Sequence, residues 1–268
     1  MRIEAYAKVN LTLDVYGTRP DGYHALRSVV LPISLSDTLT LESADGFSSD
    51  TGYDDDLCLK AARILGRGVD IRVEKRIPAG GGLGGGSADA AAVLRAINLM
   101  YDLGHSREEL AEIGAQVGSD VPALVLGAPV LMEGRGEKVA RLSAPAAALH
   151  LVLVNPGIHS STKEVYAACR ARAKDAPSAT DEMIAALQTG DFRRICAALA
   201  NDLQEPVVRL HPEIADAMVS LKSAGAGAVL MSGSGSTVFG LVPDSEAADR
   251  LARKMTERGY SAWAVGSV

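Results

Sequence analysis

The chain of 268 residues carries a formal net charge of −6 and is 47% apolar, so it can bury a core but lacks the basic balance that broad nucleic-acid binding requires. The N-terminal MRIEAYAKVN contains charges early and has no apolar run of a signal peptide. No stretch approaches the roughly 18 consecutive apolar residues of a membrane span, and we expect a soluble cytoplasmic protein.

The three cysteines, Cys58, Cys169 and Cys196, lie far apart in the sequence and form no CxxC pair. This pattern is typical of free thiols in a reducing compartment. The five histidines show no HxxxH spacing, and we therefore expect no structural metal site.

Hydrophobic periodicity predicts strands in the first third of the chain and a mixture of helices and strands after it. In chain order, the predicted elements are strands at 2–17, 24–35 and 37–43, a helix at 56–66, a strand at 70–77, helices at 87–101 and 106–117, a strand at 150–156, helices at 162–173, 180–189, 191–201 and 211–224, a strand, glycine turn and strand at 228–242, a helix at 246–259 and a strand at 260–268. Residues 122–133 are ambiguous. Strands occur both in runs and among helices, which indicates an α+β class, and 143–149 (SAPAAAL) is the candidate joint between two domains.

The segment IPAGGGLGGGSADAAAVL places six glycines within residues 80–86, between a predicted strand and a helix for which Ser87 is the predicted N-cap. A helix N-terminus offers unpaired N–H groups and a partial positive charge, and glycines allow a ligand close to the backbone. The segment therefore predicts a phosphate cradle.

Three other interpretations of this loop compete with the phosphate cradle. A P-loop requires GxxxxGK[ST], and the lysine is missing between Gly86 and Ser87. A Rossmann GxGxxG matches Gly80, Gly82 and Gly85, but a second helix follows where the second parallel strand is required. A flexible surface loop is disfavoured because the glycines are held between a strand and a capped helix.

Lys8 and Asp120 each allow two interpretations. Lys8 lies in an apolar alternating strand, where a water-exposed lysine is the simpler one. Asp120, in GSDVP, suits a helix N-cap or a turn, but a carboxylate can also orient an acceptor hydroxyl and take its proton. A lysine about 4 Å away would hold such a carboxylate ionised by roughly 4 kcal/mol before desolvation.

Two further stretches also have both a structural and a functional interpretation. Arg19-Pro20-Asp21-Gly22 is a tight-turn signal, and the Tyr23 and His24 that follow suit either an exposed surface or the stacking and edge bonding of a base. MSGSGSTVFGL, at 231–241, is typical of a glycine-rich hairpin, and it could equally present backbone amides to a second phosphate.

The glycine loop resembles the second motif of the GHMP kinases, with Pro78, Gly82, Leu83, Gly84 and Ser87 at the motif positions. AKVNLTLDV, GSDVP and MSGSGSTVFGL are similar to further segments of that family, in the expected order. RPDGYH, NPGIHSSTKEVY and NDLQEPV resemble the branch of the family that acts on 4-diphosphocytidyl-2-C-methyl-D-erythritol. The resemblance extends over nearly the whole chain.

The resemblance implies a two-domain α+β fold, with a ribosomal-S5-like ATP-binding domain at 1–145 and a ferredoxin-like domain at 146–268. It implies phosphorylation of the 2-hydroxyl of that cytidyl substrate in the non-mevalonate isoprenoid precursor pathway, with ATP as the donor and Mg²⁺. It also implies a small-molecule substrate with a cytidine diphosphate handle, no nucleic-acid or membrane partner, and a monomer or weak homodimer.

The resemblance further implies roles for individual residues. Lys8 and Asp120 would be the catalytic pair. The residues that would bind the ATP phosphates are Pro78, Ala79, Gly80, Gly81, Gly82, Leu83, Gly84, Gly85, Gly86, Ser87 and Ala88. Those that would bind the substrate are Asn10, Tyr23, His24, Ser161, Thr162, Tyr166, Gly233, Ser234, Gly235 and Ser236, with Tyr23 and Tyr166 sandwiching the cytosine and His24 bonding to its edge.

Two departures from the family pattern stand out. Ala88 replaces a polar residue, and Asp56 stands where relatives show Asn, which puts an adenine contact there in doubt. Three alternative functions remain open at this point: another GHMP kinase, which would lack RPDGYH; a nucleotide-binding protein without catalysis; and a dinucleotide-dependent oxidoreductase.

Overall fold

A computed structural model describes residues 1–19, 22–173 and 178–268; Pro20 and Asp21 of the predicted turn lie outside the described residues. The elements up to residue 145 are β1 (Arg2–Asn10), β2 (Thr12–Thr18), β3 (His24–Ser43), β4 (Phe47–Ser49), α1 (Leu57–Leu65), β5 (Val69–Glu74), α2 (Gly85–Met100), α3 (Arg107–Gly114), α4 (Val121–Leu126), β6 (Val130–Gly134) and β7 (Lys138–Arg141). Those after it are β8 (His150–Asn155), α5 (Thr162–Ala168), α6 (Ala179–Thr189), α7 (Phe192–Ala198), β9 (Ala200–Asn201), α8 (Gln204–Leu210), α9 (Glu213–Ala224), β10 (Ala228–Met231), β11 (Val238–Val242), α10 (Ser245–Glu257) and β12 (Ser261–Gly266).

The first sheet is organised around β3, which is 20 residues long. Near Thr38 this strand pairs with β1 and β5, and near Leu26 it pairs with β2 and β6. One long strand therefore aligns four others, and β1 is held beside α2, which packs on it. The buried residues Val9, Leu31 and Ile97 are part of the core between the sheet and the helices.

The second sheet is antiparallel, with strand order β10-β11-β8-β12. In chain order its parts follow the β-α-β-β-α-β pattern of a ferredoxin-like fold. The second half of the chain also reaches the first sheet: β9 belongs to that sheet and pairs in parallel with β2, and Ser267, just after β12, bridges to Ile33. The predicted α+β class is confirmed, and so is the ferredoxin-like arrangement of the second half.

Several predicted boundaries are wrong for identifiable reasons. The strand predicted at 2–17 divides into β1 and β2 around Leu11, whereas the two strands predicted at 24–35 and 37–43 are one strand, β3. The helix predicted at 162–173 ends at Ala168 because Cys169 adopts an extended backbone, and the helix predicted at 191–201 ends at Ala198 because Leu199 does so.

The remaining differences involve turns and short elements. The ambiguous segment 122–133 contains both α4 and β6, separated by Gly127 in the left-handed region. The helix predicted at 211–224 begins at Glu213, after Pro212, and is preceded by a separate helix, α8, that was not predicted.

The three cysteines are free, as predicted. Burial raises the pKa of each thiol above its ordinary value, so all three stay protonated and poorly nucleophilic near neutral pH. No helix in the described ranges has both the length and the apolar content to cross a bilayer.

Candidate active site

A cavity of about 620 Å³ opens where the glycine loop, the end of β1 and the β10–β11 connection meet. It is lined by the whole of 78–87, by Lys8 and Asn10, and by Asp120. Thr162, Tyr166 and residues 233–235 also line it. Most of the residues singled out in the sequence therefore share one cavity.

The glycine loop leads directly into α2. Gly84 lies in the left-handed region at φ 71° and is the N-cap, so the helix begins at Gly85 and Ser87 falls in its first turn. The prediction of Ser87 as N-cap is thus wrong, because a glycine supplies the required backbone and no side chain caps the helix. The N–H groups of the first turn have no intrahelical partner and are available to an anion.

Lys8 and Asp120 form an ion pair, with 3.4 Å between Lys8 Nζ and Asp120 Oδ2. Lys8 is buried, and its backbone N–H donates to Leu83 C=O at 3.0 Å, which attaches β1 to the glycine loop. Asp120 stands at the start of α4 without making a side-chain cap, and its side chain is 34% exposed. Its carboxylate is therefore accessible from the cavity rather than used by the helix.

Asn10 fixes the direction of the Lys8 side chain. Its Oδ1 accepts a hydrogen bond from Lys8 Nζ at 2.7 Å, and its Nδ2 donates to Ser28 Oγ at 2.7 Å. Ser28 Oγ in turn donates to Thr12 C=O. Because the amide is bonded on both sides within the buried sheet, the ammonium group has a defined position next to Asp120.

The β10–β11 connection docks on the glycine loop through hydrogen bonds to backbone carbonyls of the loop. Ser232 Oγ donates to Gly82 C=O at 3.0 Å, and Thr237 N–H donates to Gly81 C=O at 3.1 Å. A Cβ on Gly82 would lie 2.1 Å from Ser232 O. The glycines thus serve two purposes: they leave amides open to the cavity, and they allow two loops to touch.

Asn201 holds the other side of the same connection and was not assigned a role from the sequence. Its Nδ2 donates to the carbonyl oxygens of Met231 and Gly233, each at 2.8 Å. The only signal for it was the NDLQEPV segment. Because Asn201 forms β9, the pairing of β9 with β2 sets the position of residues 231–233.

The substrate-side residues of α5 meet the same connection. Thr162 Oγ1 and Ser234 Oγ lie 2.8 Å apart, and Tyr166 stacks on His24 with ring centroids 5.7 Å apart and an interplanar angle of 25°. Burial raises the pKa of Tyr166 above its ordinary value.

Tyr23 is 54% exposed, and the Arg135 guanidinium lies 5.2 Å from its ring centroid. His24, rather than Tyr23, is therefore beside Tyr166.

Five sequence-assigned residues do not line the cavity: Tyr23, His24, Ala88, Ser161 and Ser236. Ala88 is buried on the opposite side of α2, Ser161 caps α5 by accepting from Glu164 N–H, and Ser236 is buried and donates to Ile158 C=O. Packing or capping explains the positions of Ala88, Ser161 and Ser236, and the structure gives no support for a direct ligand contact by these three residues.

A buried charge cluster beside the glycine loop was missed in the sequence. Lys75 Nζ lies 2.6 Å from Asp37 Oδ2 and 2.7 Å from Asp89 Oδ2. Asp37 Oδ1 also accepts from the backbone N–H groups of Arg76 and Ile77. The cluster joins β3, the segment before the loop and the first turns of α2, so it positions both ends of the loop.

Asp89 is the member of this cluster that responds to pH. Burial raises its pKa to about 7, against the pull of the Lys75 ammonium, and its Oδ1 is buried without a hydrogen-bond partner among the described residues. An unfolded aspartate titrates near 4. Between pH 4 and 7 the native state therefore binds more protons than the unfolded state, and this residue lowers stability as pH rises.

We expect Asp89→Asn to remove that component. From pH 4 to pH 8, the free energy of unfolding of the parent should fall by about 3–4 kcal/mol more than that of the variant. Urea unfolding at several pH values measures the difference. The exposed Asp249→Asn on α10 is the control, and equal pH slopes for the parent and Asp89→Asn would contradict the expectation.

Asp56, one of the two expected departures from the family pattern, has a structural role. It is the N-cap of α1, accepting from the N–H groups of Cys58 and Leu59, and it also accepts from Thr51 Oγ1. Burial opposes its charge, but these hydrogen bonds keep its pKa below the ordinary value. Asp56 lines the cavity as a charged acceptor.

Comparisons with known proteins place both halves of the chain in one family. Two family models match the chain: the GHMP kinases N terminal domain at 56–128 and the GHMP kinases C terminal domain at 183–261. The 4-diphosphocytidyl-2-C-methyl-D-erythritol kinase of Pelotomaculum thermopropionicum is 43% identical over 93% of this chain and 92% of its own length. The protein of the same name from Symbiobacterium thermophilum is 40% identical over 99% of both chains.

Solved structures agree as well. A crystal structure of 4-(cytidine 5'-diphospho)-2C-methyl-D-erythritol kinase covers all of this chain and 99% of its own, with a TM-score of 0.86 and 34% identity. Homoserine kinase from Cytophaga hutchinsonii, at 20% identity, covers all of this chain and 94% of its own with a TM-score of 0.77, which shows the shared fold alone. The chain belongs to the GHMP kinases and, among them, to the family of 4-diphosphocytidyl-2-C-methyl-D-erythritol kinases.

Proposed function

We propose that this protein transfers the γ-phosphoryl group of ATP to the 2-hydroxyl of 4-diphosphocytidyl-2-C-methyl-D-erythritol, in the non-mevalonate isoprenoid precursor pathway. The observation that carries the proposal is the Lys8–Asp120 ion pair at 3.4 Å, in the cavity where the two glycine-rich connections meet. The identity of about 40% to kinases of that name gives the acceptor.

In this proposal Asp120 accepts the proton of the attacking hydroxyl. Its partial exposure lets it reach a substrate in the cavity, and Lys8, 3.4 Å away, stabilises negative charge that develops during transfer. Asn10 positions Lys8 through the 2.7 Å hydrogen bond and borders the reacting end of the substrate. Phosphoryl transfer mainly needs positioning and charge stabilisation, which these residues supply.

The glycine loop, residues 78–87, would hold the ATP phosphates through its free amides and the α2 N-terminus. Mg²⁺ that is bound with a nucleotide takes most of its ligands from phosphates and water, and among the described residues no group of three acidic, His or Cys side chains is arranged to hold a metal ion. The hydroxyl of Ser87, in the first turn of α2, suits such a metal. The metal would neutralise charge on the transferred group.

The cytidine end would bind near α5. We propose that Tyr166 stacks on one face of the cytosine and Tyr23 on the other, with His24 at the edge of the base and Thr162 nearby. Because the His24 ring now covers Tyr166, base binding requires this ring to move aside. The backbone of 233–235, with the Ser234 hydroxyl, would face the substrate diphosphate.

The organisation of the chain is part of the proposal. We place an ATP-binding domain at 1–145 and a second domain at 146–268, with the cavity at their junction. Since all the proposed catalytic residues lie on one chain, we propose a monomer or weak homodimer as the active form.

The test is ATP-dependent phosphorylation of the cytidyl substrate followed by phosphorus NMR, with homoserine and mevalonate as parallel substrates. A new phosphomonoester signal with the cytidyl substrate alone is expected. Turnover of another alcohol without turnover of this one would overturn the acceptor but leave the kinase assignment. Binding without turnover of any alcohol would instead indicate a non-catalytic nucleotide-binding protein.

We expect Tyr166→Ala to raise KM for the cytidyl substrate by about 5- to 100-fold, because stacking of a base on an aromatic ring contributes ~1–3 kcal/mol. KM for ATP should change little. Tyr166→Phe keeps the ring and is the matched control. Steady-state kinetics on both substrates measures the effect. An equal rise in the KM values for both substrates would show that the substitution disturbs the fold instead.

A further inference from the structure

A second cavity, of about 140 Å³, lies behind the helices that carry the glycine loop and Asp120. Arg95 of α2 and Arg107 at the start of α3 line it. No residue lines both this cavity and the proposed active site. Its apolar walls come from Tyr6, Pro32, Leu124 and Leu126.

The two guanidinium groups use only part of their hydrogen-bonding capacity. Arg95 donates to Glu4 C=O at 2.9 Å and to Ala91 C=O at 3.4 Å, and Arg107 donates to Val125 C=O at 2.7 Å. A guanidinium has five N–H donors. All three acceptors are neutral backbone carbonyls, so neither positive charge is compensated by them.

Neither arginine forms an ion pair with a carboxylate within 1–19, 22–173 and 178–268. The nearby carboxylates are occupied elsewhere: Glu4 accepts from Ser36 and Thr38, and Glu108 pairs with Arg141 at 2.9 Å. Burial, together with the Arg107 charge, lowers the pKa of Arg95 to about 10. Two like charges with free donors therefore border one cavity.

We propose that this second cavity binds a phosphate group, either as free phosphate or as the phosphate ester of a small apolar alcohol. Arginine donors match the oxygens of phosphate in a bidentate manner. The apolar walls suit a short alkyl substituent on the phosphate.

Because of its position between helices, the site connects binding of a phosphate to the stability of the fold. Arg95 belongs to α2, while Arg107 begins α3 and donates to the C-terminal turn of α4, whose first turn follows Asp120. A phosphate held by both arginines links these helices. Binding should therefore stabilise the fold as well as neutralise the charge pair.

The experiment is calorimetric titration of inorganic phosphate and of butyl phosphate into the full chain, with saturating MgADP present to occupy the glycine loop. The parent and the exposed control Arg253→Gln on α10 should bind alike. Arg107→Gln should weaken binding by about tenfold or more, the value of a lost charged hydrogen bond. Because variants are compared, the result does not depend on what the glycine loop binds.

Binding that is absent in the parent, or equal in the parent and Arg107→Gln, would overturn the proposal. Arg107 is exposed, so its substitution should leave the fold intact. Arg95→Gln is the second variant, and circular dichroism establishes that it is folded before titration. Tighter binding of butyl phosphate than of phosphate is expected, and the reverse order would overturn the role of the apolar walls.

Discussion

Replacing Asp120 with Asn is expected to lower kcat by about 10²- to 10⁴-fold, the contribution typical of a positioned general base. Asparagine has nearly the same shape, but its amide takes no proton from the substrate hydroxyl. The carboxylate makes no helix cap and is partly exposed, so the fold should not depend on it. Steady-state kinetics with the cytidyl substrate and ATP measures the change.

Binding separates this expectation from simple unfolding. Asp120→Asn should still bind the cytidyl substrate and ATP with affinities close to those of the parent, as measured by calorimetry. Lys8→Ala is the companion variant and should also lose turnover, because it removes the charge that holds Asp120 in place. Turnover of Asp120→Asn within threefold of the parent would show that another group takes the proton.

The glycine loop was the feature most accessible to sequence reasoning, because its chemistry is local. Glycines followed by a helix start predict an anion site whatever the rest of the chain does. Even so, the prediction of Ser87 as the N-cap was wrong, since α2 begins after the left-handed backbone of Gly84 and not after a capping side chain. Residue type indicated the site, whereas the exact helix boundary depended on a left-handed backbone.

Long-range pairs were much harder to predict. Lys8 and Asp120 were each ambiguous alone, and only the folding of β1 against the glycine loop brings their side chains together. The Asp37–Lys75–Asp89 cluster left no sequence signal, because each residue looks like an ordinary surface charge in its own segment. Only the family resemblance predicted that residues as distant in the sequence as Lys8 and Asp120 act in one site.

Short elements were missed for a related reason. The Pro206 of α8 looks like a helix breaker in the sequence, yet it stands in the first turn, where a backbone N–H has no helical partner to lose. Asn201 belongs to a two-residue strand that is held by its pairing with β2 and by the Asn201 bonds to Met231 and Gly233. Such elements exist because of tertiary contacts, so periodicity does not reveal them.

Among alanine substitutions at glycines, Gly82→Ala is expected to have the largest effect. The new Cβ would lie 2.1 Å from Ser232 O and 3.0 Å from Gly235 O, and Gly82 has a φ of 73°. A left-handed backbone costs an alanine about 1–2 kcal/mol and overpacking adds about 1–3 kcal/mol. Urea unfolding should therefore show a loss of roughly 2–5 kcal/mol in the free energy of unfolding.

Activity should fall further than stability alone explains. To relieve the clash, the β10–β11 connection must move away from the glycine loop, and Gly233 must move with it. Gly233 lies beside the proposed catalytic lysine, since a Cβ built on it would be 3.3 Å from Lys8 Nζ. A displacement of about 1 Å in a catalytic site costs on the order of 10² in rate. Gly86→Ala is the stability control, because Gly86 is helical and its nearest neighbour would lie 3.9 Å away. If Gly82→Ala proved as stable as Gly86→Ala, the direct contact between the two loops would be refuted.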